Sequence, residues 1–303
     1  MQQIAYRKKN ITYNNLAGYL FILPWLAGFF FYTILPMLMS LYYSLTQYNI
    51  LSPAIWVGLK NYINIFTNDP RFWKSLQVTF KYVIFAVPLR LIFALFLAIL
   101  LAQKRLFVNV YRGLFYIPSL IGGSVAVAVM WKQLFGVEGA LNSILISLGI
   151  LDKGFGWLTH PKTALWTLIL LAVWQFGSPM LIFLAGLKQI PISLYESASI
   201  DGANWWQSFI KITIPMLTPV IFFNLIMQII HNFMMFTQAY IITGGGPFDE
   251  TLLYILYIYK RGFTYYQMGY ACALAWILLT IVGVITFIVF RTSHYWVYYE
   301  AKE

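Results

Sequence analysis

A chain of 303 residues, 61% hydrophobic and only 10% charged, with a mean hydropathy of +0.73, carries more apolar surface than a soluble core of this size can hide, so the bilayer must be its solvent. A net charge of +11 would suggest nucleic acid in a soluble protein, but no soluble segment combines a basic stripe with interleaved aromatics, and membrane orientation accounts for the excess better. Cys272 is the single cysteine and rules out an internal disulfide or a Cys-based metal site; His160, His231 and His294 fall on different predicted elements without ligand spacing, so no metal is expected.

In chain order, residues 1–15 form a tail with a basic cluster at Arg7, Lys8 and Lys9. Apolar stretches long enough to cross about 30 Å of hydrocarbon follow at roughly Leu16 to Leu45, Leu76 to Ala102, Tyr111 to Phe135, Thr163 to Leu187, Ile212 to Ile242 and Gln267 to Phe290. These predict an all-α membrane protein with six transmembrane helices and both termini on one side. The first stretch is about twice the length of a signal-peptide core and carries Pro24 and Pro36, so it is expected to remain as a spanning helix.

Residues 16–291 therefore read as one membrane domain, with a tail at 292–303. Basic residues divide almost evenly between the two sides, so the positive-inside count does not orient the chain alone. The tight clusters at residues 7–9 and 104–112 favour a cytoplasmic N-terminus. Gly122-Gly-Ser124 in the third stretch provides small residues for close helix packing. The tyrosine-rich segment from Thr251 to Phe263 suits a short amphipathic helix at the outer interface.

Between the fourth and fifth stretches, Glu196, Ala198, Gly202, Ile212 and Pro215 resemble the cytoplasmic coupling loop of the membrane subunits of ATP-binding-cassette importers, with Ser197 and Ile214 replacing an Ala and a Leu. Beyond that loop the chain is similar to sugar-type permease subunits of binding-protein-dependent importers, the group that includes the maltose and glycerol-phosphate systems. Residues carrying the likeness include Val57 to Tyr62, Arg112 to Pro118, Gly139 to Asn142, Trp157-Leu158, Thr243 to Pro247 with Thr251, and Gly269 to Ala271.

The resemblance implies the type I importer permease fold in a bacterial plasma membrane, with both termini cytoplasmic. It also implies a second homologous permease subunit, a cytoplasmic ATPase dimer and an extracytoplasmic solute-binding protein. ATPase coupling would fall to Glu196, Ser197, Ala198, Asp201, Gly202, Ala203 and Pro215 in the loop 188–211 and the start of the following helix. Trp205 and Trp206 are expected to anchor this knob to the rest of the subunit, although its spacing alone also fits an ordinary helical hairpin. Gly244, Gly245, Gly246 and Pro247 are candidates for contact with the binding protein or for an outer gate. The chain has no Gly-x-x-x-x-Gly-Lys-[Ser/Thr] loop, so ATP and Mg²⁺ are assigned to the partner ATPase and no cofactor or catalytic residue to this chain.

For the translocation path, Asn224, Gln228, His231 and Asn232 recur at helical spacing and share one face. Polar groups facing lipid are costly, so this stripe is expected to face protein or a water-filled route. Amides and rings suit a sugar, and Phe236 lies near the outer end; interhelical hydrogen bonding is the alternative. Trp174, Gln175 and Arg90 complete the set, with Arg90 either snorkelling or paired structurally, or meeting an anionic substrate such as a uronate or sugar phosphate. A self-contained secondary carrier for a polar solute is the rival reading, disfavoured because all nine acidic residues lie in predicted loops or tails, away from the spans where such carriers place carboxylates.

Overall fold

The computed structural model describes residues 18–103 and 106–298. The basic residues Arg7, Lys8, Lys9, Lys104 and Arg105 and the end of the C-terminal tail lie outside the described residues. Helix α1, Gly18–Ser44, contains a π turn at Phe30–Ile34. Strands β1, Thr46–Gln47, and β2, Ile55–Trp56, pair antiparallel with Thr46 opposite Trp56. Helices α2, Lys60–Asn68, and α3, Pro70–Ala102, follow. Then come α4, Val108–Ile121; α5, Val125–Leu134; α6, Ala140–Ser147; α7, Ala164–Trp174; α8, Gly177–Leu187; and α9, Ile192–Ile200. The short α10, Trp205–Ser208, runs through a π turn into α11, Ile214–Phe233. The remaining helices are α12, Thr237–Ile242; α13, Tyr254–Tyr259; and α14, Met268–Trp296.

Four stretches among the described residues, Gly18–Ser44, Pro70–Ala102, Trp205–Ile242 and Met268–Trp296, are long and apolar enough to cross a membrane without a sharp bend. The two others are broken. α4 meets α5 at 96° and α7 meets α8 at 42°; counting each pair as one span gives six, the number expected. The third span, read from sequence as a single helix with close packing at Gly122-Gly-Ser124, turns sharply there. Ser124 leaves the helical conformation and its hydroxyl caps the new helix by accepting from the Val127 N–H (3.3 Å).

The described residues divide into two compact units, one made of 18–67 with 261–276 and the other of those within 68–260 with 277–298. In the first, Asn61 donates to the carbonyls of Ser44 (2.8 Å) and Thr46 (2.9 Å), bracing the end of α1 against the small hairpin. Gly269 donates to the Tyr48 carbonyl (3.0 Å), and a side chain at Gly269 would strike the Thr46 carbonyl. Two of the sequence signatures, the segment around Asn61 and the one around Gly269, thus hold one turn.

In the second unit α3 is the central element, packed most extensively on α8 and then on α7 and α11. Val78, Tyr82, Ala86, Arg90, Ala94 and Ala98, all buried, recur every four residues along one face. The alanines let neighbours approach closely. Phe80 meets Phe233 and Phe93 meets Phe176 edge-on, with ring centroids 5.5 and 5.0 Å apart. Gly186 on α8 faces Val220 and Leu217 of α11 with no room for a Cβ.

The amphipathic helix expected to lie on the outer interface is instead buried. Tyr254, Leu256 and Tyr257 are fully covered because α13 packs on the first turns of α3. The Tyr254 N–H donates to Thr79 Oγ1 (2.7 Å), and the Tyr257 hydroxyl donates to the Asp69 carboxylate. Burial first, then the neighbouring Tyr257 and Asp69, raises the Tyr254 hydroxyl above its usual range, so it stays neutral. Asp69 also caps α3 by accepting from the Phe72 N–H (3.1 Å). Removing its carboxylate should therefore cost about 2–4 kcal/mol, one cap plus one buried hydrogen bond to a charged group. We expect Asp69→Ala to melt well below the parent in detergent; an unchanged melting temperature would contradict this role.

Candidate functional site

The broken spans bring polar groups together in the interior of the second unit. Where α4 gives way to α5, the Gly122 carbonyl accepts from the side-chain amides of Gln175 (3.1 Å) and Gln238 (3.0 Å). Where α7 gives way to α8, the Gln175 carbonyl accepts from the Ser119 hydroxyl (2.8 Å) and from the Arg90 guanidinium. Ser119 in turn accepts from the Ser178 N–H (2.9 Å). No Cβ fits at Gly122, where it would collide with Gln175, or at Gly177, where it would come within 2.7 Å of the Phe115 carbonyl. These two glycines allow the breaks to meet.

Beside this junction lies a cavity of about 200 Å³, lined by Arg90, Gln175, His231, Asn232, Phe236 and Gln238 together with Tyr82, Gly123, Ala172, Met234, Met235 and Thr237. It is smaller than the ~300–1,000 Å³ of a complete ligand pocket. Five of the eight predicted path residues therefore converge on it. Asn224 and Gln228 share their helix face but lie deeper in protein, off the cavity wall. Trp174 also lies off the wall and packs on Trp131 (ring centroids 5.9 Å apart).

Sequence reasoning missed Tyr82, Gly123, Met234, Met235 and Thr237. Tyr82 was legible only as the residue two helical turns before Arg90 on the same face, a signal that needs the helix's packing to interpret. Residues 234–236 interrupt the helical run between α11 and α12, which turns consecutive side chains into the cavity where a continuous helix would have dispersed them.

The predicted coupling segment forms a helix, a turn and a second helix. α9 carries Glu196, Ser197 and Ala198 and ends at Asp201. Gly202 adopts φ +77°; the Gly202 N–H donates to Ser199 (3.1 Å) and the Ala203 N–H to Ala198 (2.9 Å), the paired bonds of a Schellman cap. Asn204 and Gln207 then form a reciprocal capping box at the start of α10. Tyr195 bonds to Thr213 across the hairpin (2.8 Å), and Pro215 sits in the first turn of α11. Glu196, Ser197, Asp201 and Gly202 are exposed and Ala198 and Ala203 half-buried. Trp205 and Trp206 do not anchor the knob inward as expected. They are 60% and 62% exposed, with Trp205 stacked flat on Phe209 (5.4 Å), so their rings pack on each other's neighbourhood and not on the rest of the subunit.

At the other end of the unit, Gly244 and Gly245 take positive φ, and the loop they begin runs through Gly246 and Pro247 to two ion pairs on α3. Arg71 forks onto Asp249 (2.7 and 2.8 Å) and Lys74 reaches Glu250 (2.6 Å). Thr251 bonds back to the Gly246 carbonyl (2.6 Å).

With this geometry in hand, comparison with known proteins is specific. A family profile described as "Binding-protein-dependent transport system inner membrane component" matches residues 8–298. The probable ABC transporter permease protein YesP of Bacillus subtilis (strain 168) is 56% identical, over 98% of this chain and 96% of its own length. The lactose transport system permease protein LacF of Rhizobium radiobacter is 34% identical, over 93% and 95%. The arabinooligosaccharides transport system permease protein AraP of Bacillus subtilis (strain 168) is 34% identical, over 94% and 91%. Among solved structures, a chain of a bacterial alginate ABC transporter in complex with an alginate pentasaccharide-bound periplasmic protein superposes with a TM-score of 0.80 at 22% identity, covering 94% of this chain and 96% of that one.

Asn224 is 1% exposed, and both heteroatoms of its amide lack a hydrogen-bond partner, as does Gln228 Oε1. An unpaired buried amide contributes nothing to stability, and an apolar residue of similar shape in its place is neutral or better. Asn224→Leu should therefore leave the melting temperature of the purified chain unchanged or raise it. A fall of several degrees would mean that the amide is structurally engaged.

Proposed function

Because the chain belongs to the binding-protein-dependent transport system inner membrane component family, and is thus a non-catalytic permease subunit of an ABC importer, we propose that it forms half of the translocation path for a sugar or oligosaccharide. Relatives named for lactose and arabino-oligosaccharide transport support that substrate class, as does a cavity walled by amides, a histidine and aromatic rings. A second, homologous permease subunit completes the path, and a solute-binding protein delivers the sugar at the face carrying Gly244 to Pro247. A separate ATPase dimer binds ATP and Mg²⁺. Both termini lie in the cytoplasm of a bacterial plasma membrane. The substrate class extends to acidic sugars, since Arg90 stands in the cavity wall.

The observation that carries this reading is the exposed knob at residues 192–213. Its two helices are closed by their own caps, so it needs no support from lipid and offers Glu196, Ser197 and Asp201 to a partner. It continues directly into α11, whose far end carries His231 and Asn232. At 1.5 Å per residue, the distance from Thr213 to Asn232 is about 28 Å, so one helix connects ATPase closure to the sugar route. Nucleotide would shift the population between inward- and outward-facing arrangements.

Gly202 offers a clean test, because a Cβ built there meets nothing within 4 Å. A side chain costs only the backbone strain of a positive φ, about 1–2 kcal/mol, and projects outward toward the partner. In the complete system, Gly202→Asp should leave the subunit inserted and bound to the second permease, while uptake and substrate-stimulated ATP hydrolysis are lost. Normal uptake by this variant would sink the coupling role.

A further inference from the structure

We propose that Arg90 and the N-terminal end of α5 form a carboxylate subsite inside the cavity, so that the imported saccharide is selected for an acidic group; this inference rests on the permease reading above. Arg90 lies about 18 Å of helix from the Ala102 end of α3 and about 32 Å from Asp69 at the other, counting 1.5 Å per residue. It is 5% exposed and turned inward to the cavity wall, so it does not snorkel to the membrane surface.

A guanidinium this deep needs a counter-charge, since an uncompensated buried cation is costly. The chain supplies only part of one. Of the five N–H donors of an arginine, one is given to the carbonyl of Gln175, at the weakly negative C-terminal end of α7. The Nε is buried with no partner, and no described carboxylate lines the cavity.

Across the junction, the break after α4 starts α5 at the cavity. Gly123 lines the wall and Ser124 is the N-cap of this ten-residue helix. The N-terminal end of a helix carries partial positive charge and free N–H groups, and broken spans direct such ends at anionic substrate groups. Arg90 and Gly123, the residue before the α5 N-cap, line one cavity, and a planar fork beside a helix N-terminus favours an anion with two coplanar oxygens, which Arg reads as a pair and Lys does not. Stapling the α7 end alone would require one donor at this position and would leave the second positive element unaccounted for.

The test uses the whole transporter, reconstituted in liposomes with its second permease, ATPase and binding protein. It is offered a mixture of neutral di- and trisaccharides and their uronic-acid counterparts, and the sugars that enter are identified by mass spectrometry. The parent should import acidic members. Arg90→Gln should lower their uptake at least tenfold relative to any neutral member that enters, and Arg90→Lys should lie between the two. Import of neutral members alone by the parent, or an unchanged acidic-to-neutral ratio in both variants, would overturn the subsite while leaving the importer intact. If Arg90→Gln does not assemble, Arg90→Lys decides: acidic uptake reduced at least threefold at normal subunit yield supports the proposal, and parental uptake overturns it. A parent that imports no sugar at all would overturn the permease reading for saccharides itself, and the subsite with it.

Discussion

Within a bilayer, a backbone carbonyl that loses its helical partner finds no water to replace it. Two spans of this chain are broken, and each presents such a carbonyl, Gly122 in one and Gln175 in the other. The arrangement around the cavity follows from satisfying them. Gln175 and Gln238 close the first; Ser119 and Arg90 close the second. Because Gln175 serves both breaks, through its side chain and its backbone, the two broken spans cannot be positioned independently. Glycines 122 and 177 are small because the breaks must touch.

This junction lies between two devices at opposite ends of the same unit. At one end, Asp69 caps α3 and receives Tyr257, while Arg71 and Lys74 hold the loop that follows the three glycines. At the other, the Schellman cap at Gly202 and the Asn204–Gln207 capping box make a rigid hairpin of α9 and α10. Isolated exposed ion pairs are worth little, but these two sit on consecutive turns of α3, and Arg71 binds Asp249 through two donors. α11 joins the hairpin to the cavity without a break. Movement at one end of such a unit reaches the cavity as rigid displacement, since packed elements do not deform continuously.

Much of this was legible in the sequence. Six apolar stretches gave six spans, and the exposed hairpin between the fourth and fifth was expected from the resemblance of Glu196 to Pro215 to a coupling loop. Of the Asn224 to Asn232 stripe, Asn224, Gln228 and Asn232 are buried, while His231 is exposed at the cavity. Hydropathy, however, runs unbroken through Gly122-Gly-Ser124 and through Trp174-Gln-Phe176, so neither break was visible; small residues in a span fit tight packing as well as a bend. α13 was misplaced because its tyrosines suit a lipid interface and a buried contact equally, and the partners that distinguish the two, Asp69 and Thr79, lie nearly two hundred positions away. Tyr82 and Thr237 reached the cavity through packing and through the interruption at residues 234–236, which leave no local pattern.

On the proposed function, the cavity at the helix breaks is a route opened to each side in turn by a partner ATPase. Met235 lines it and is half-buried, so a cysteine there, with Cys272 changed to serine, reports directly on access in the assembled transporter. Membrane-impermeant thiol reagents should label Met235→Cys from the cytoplasmic side without nucleotide and from the outer side when the ATPase is held closed by a non-hydrolysable ATP analogue. Labelling from one side regardless of nucleotide, or from neither, would contradict the account.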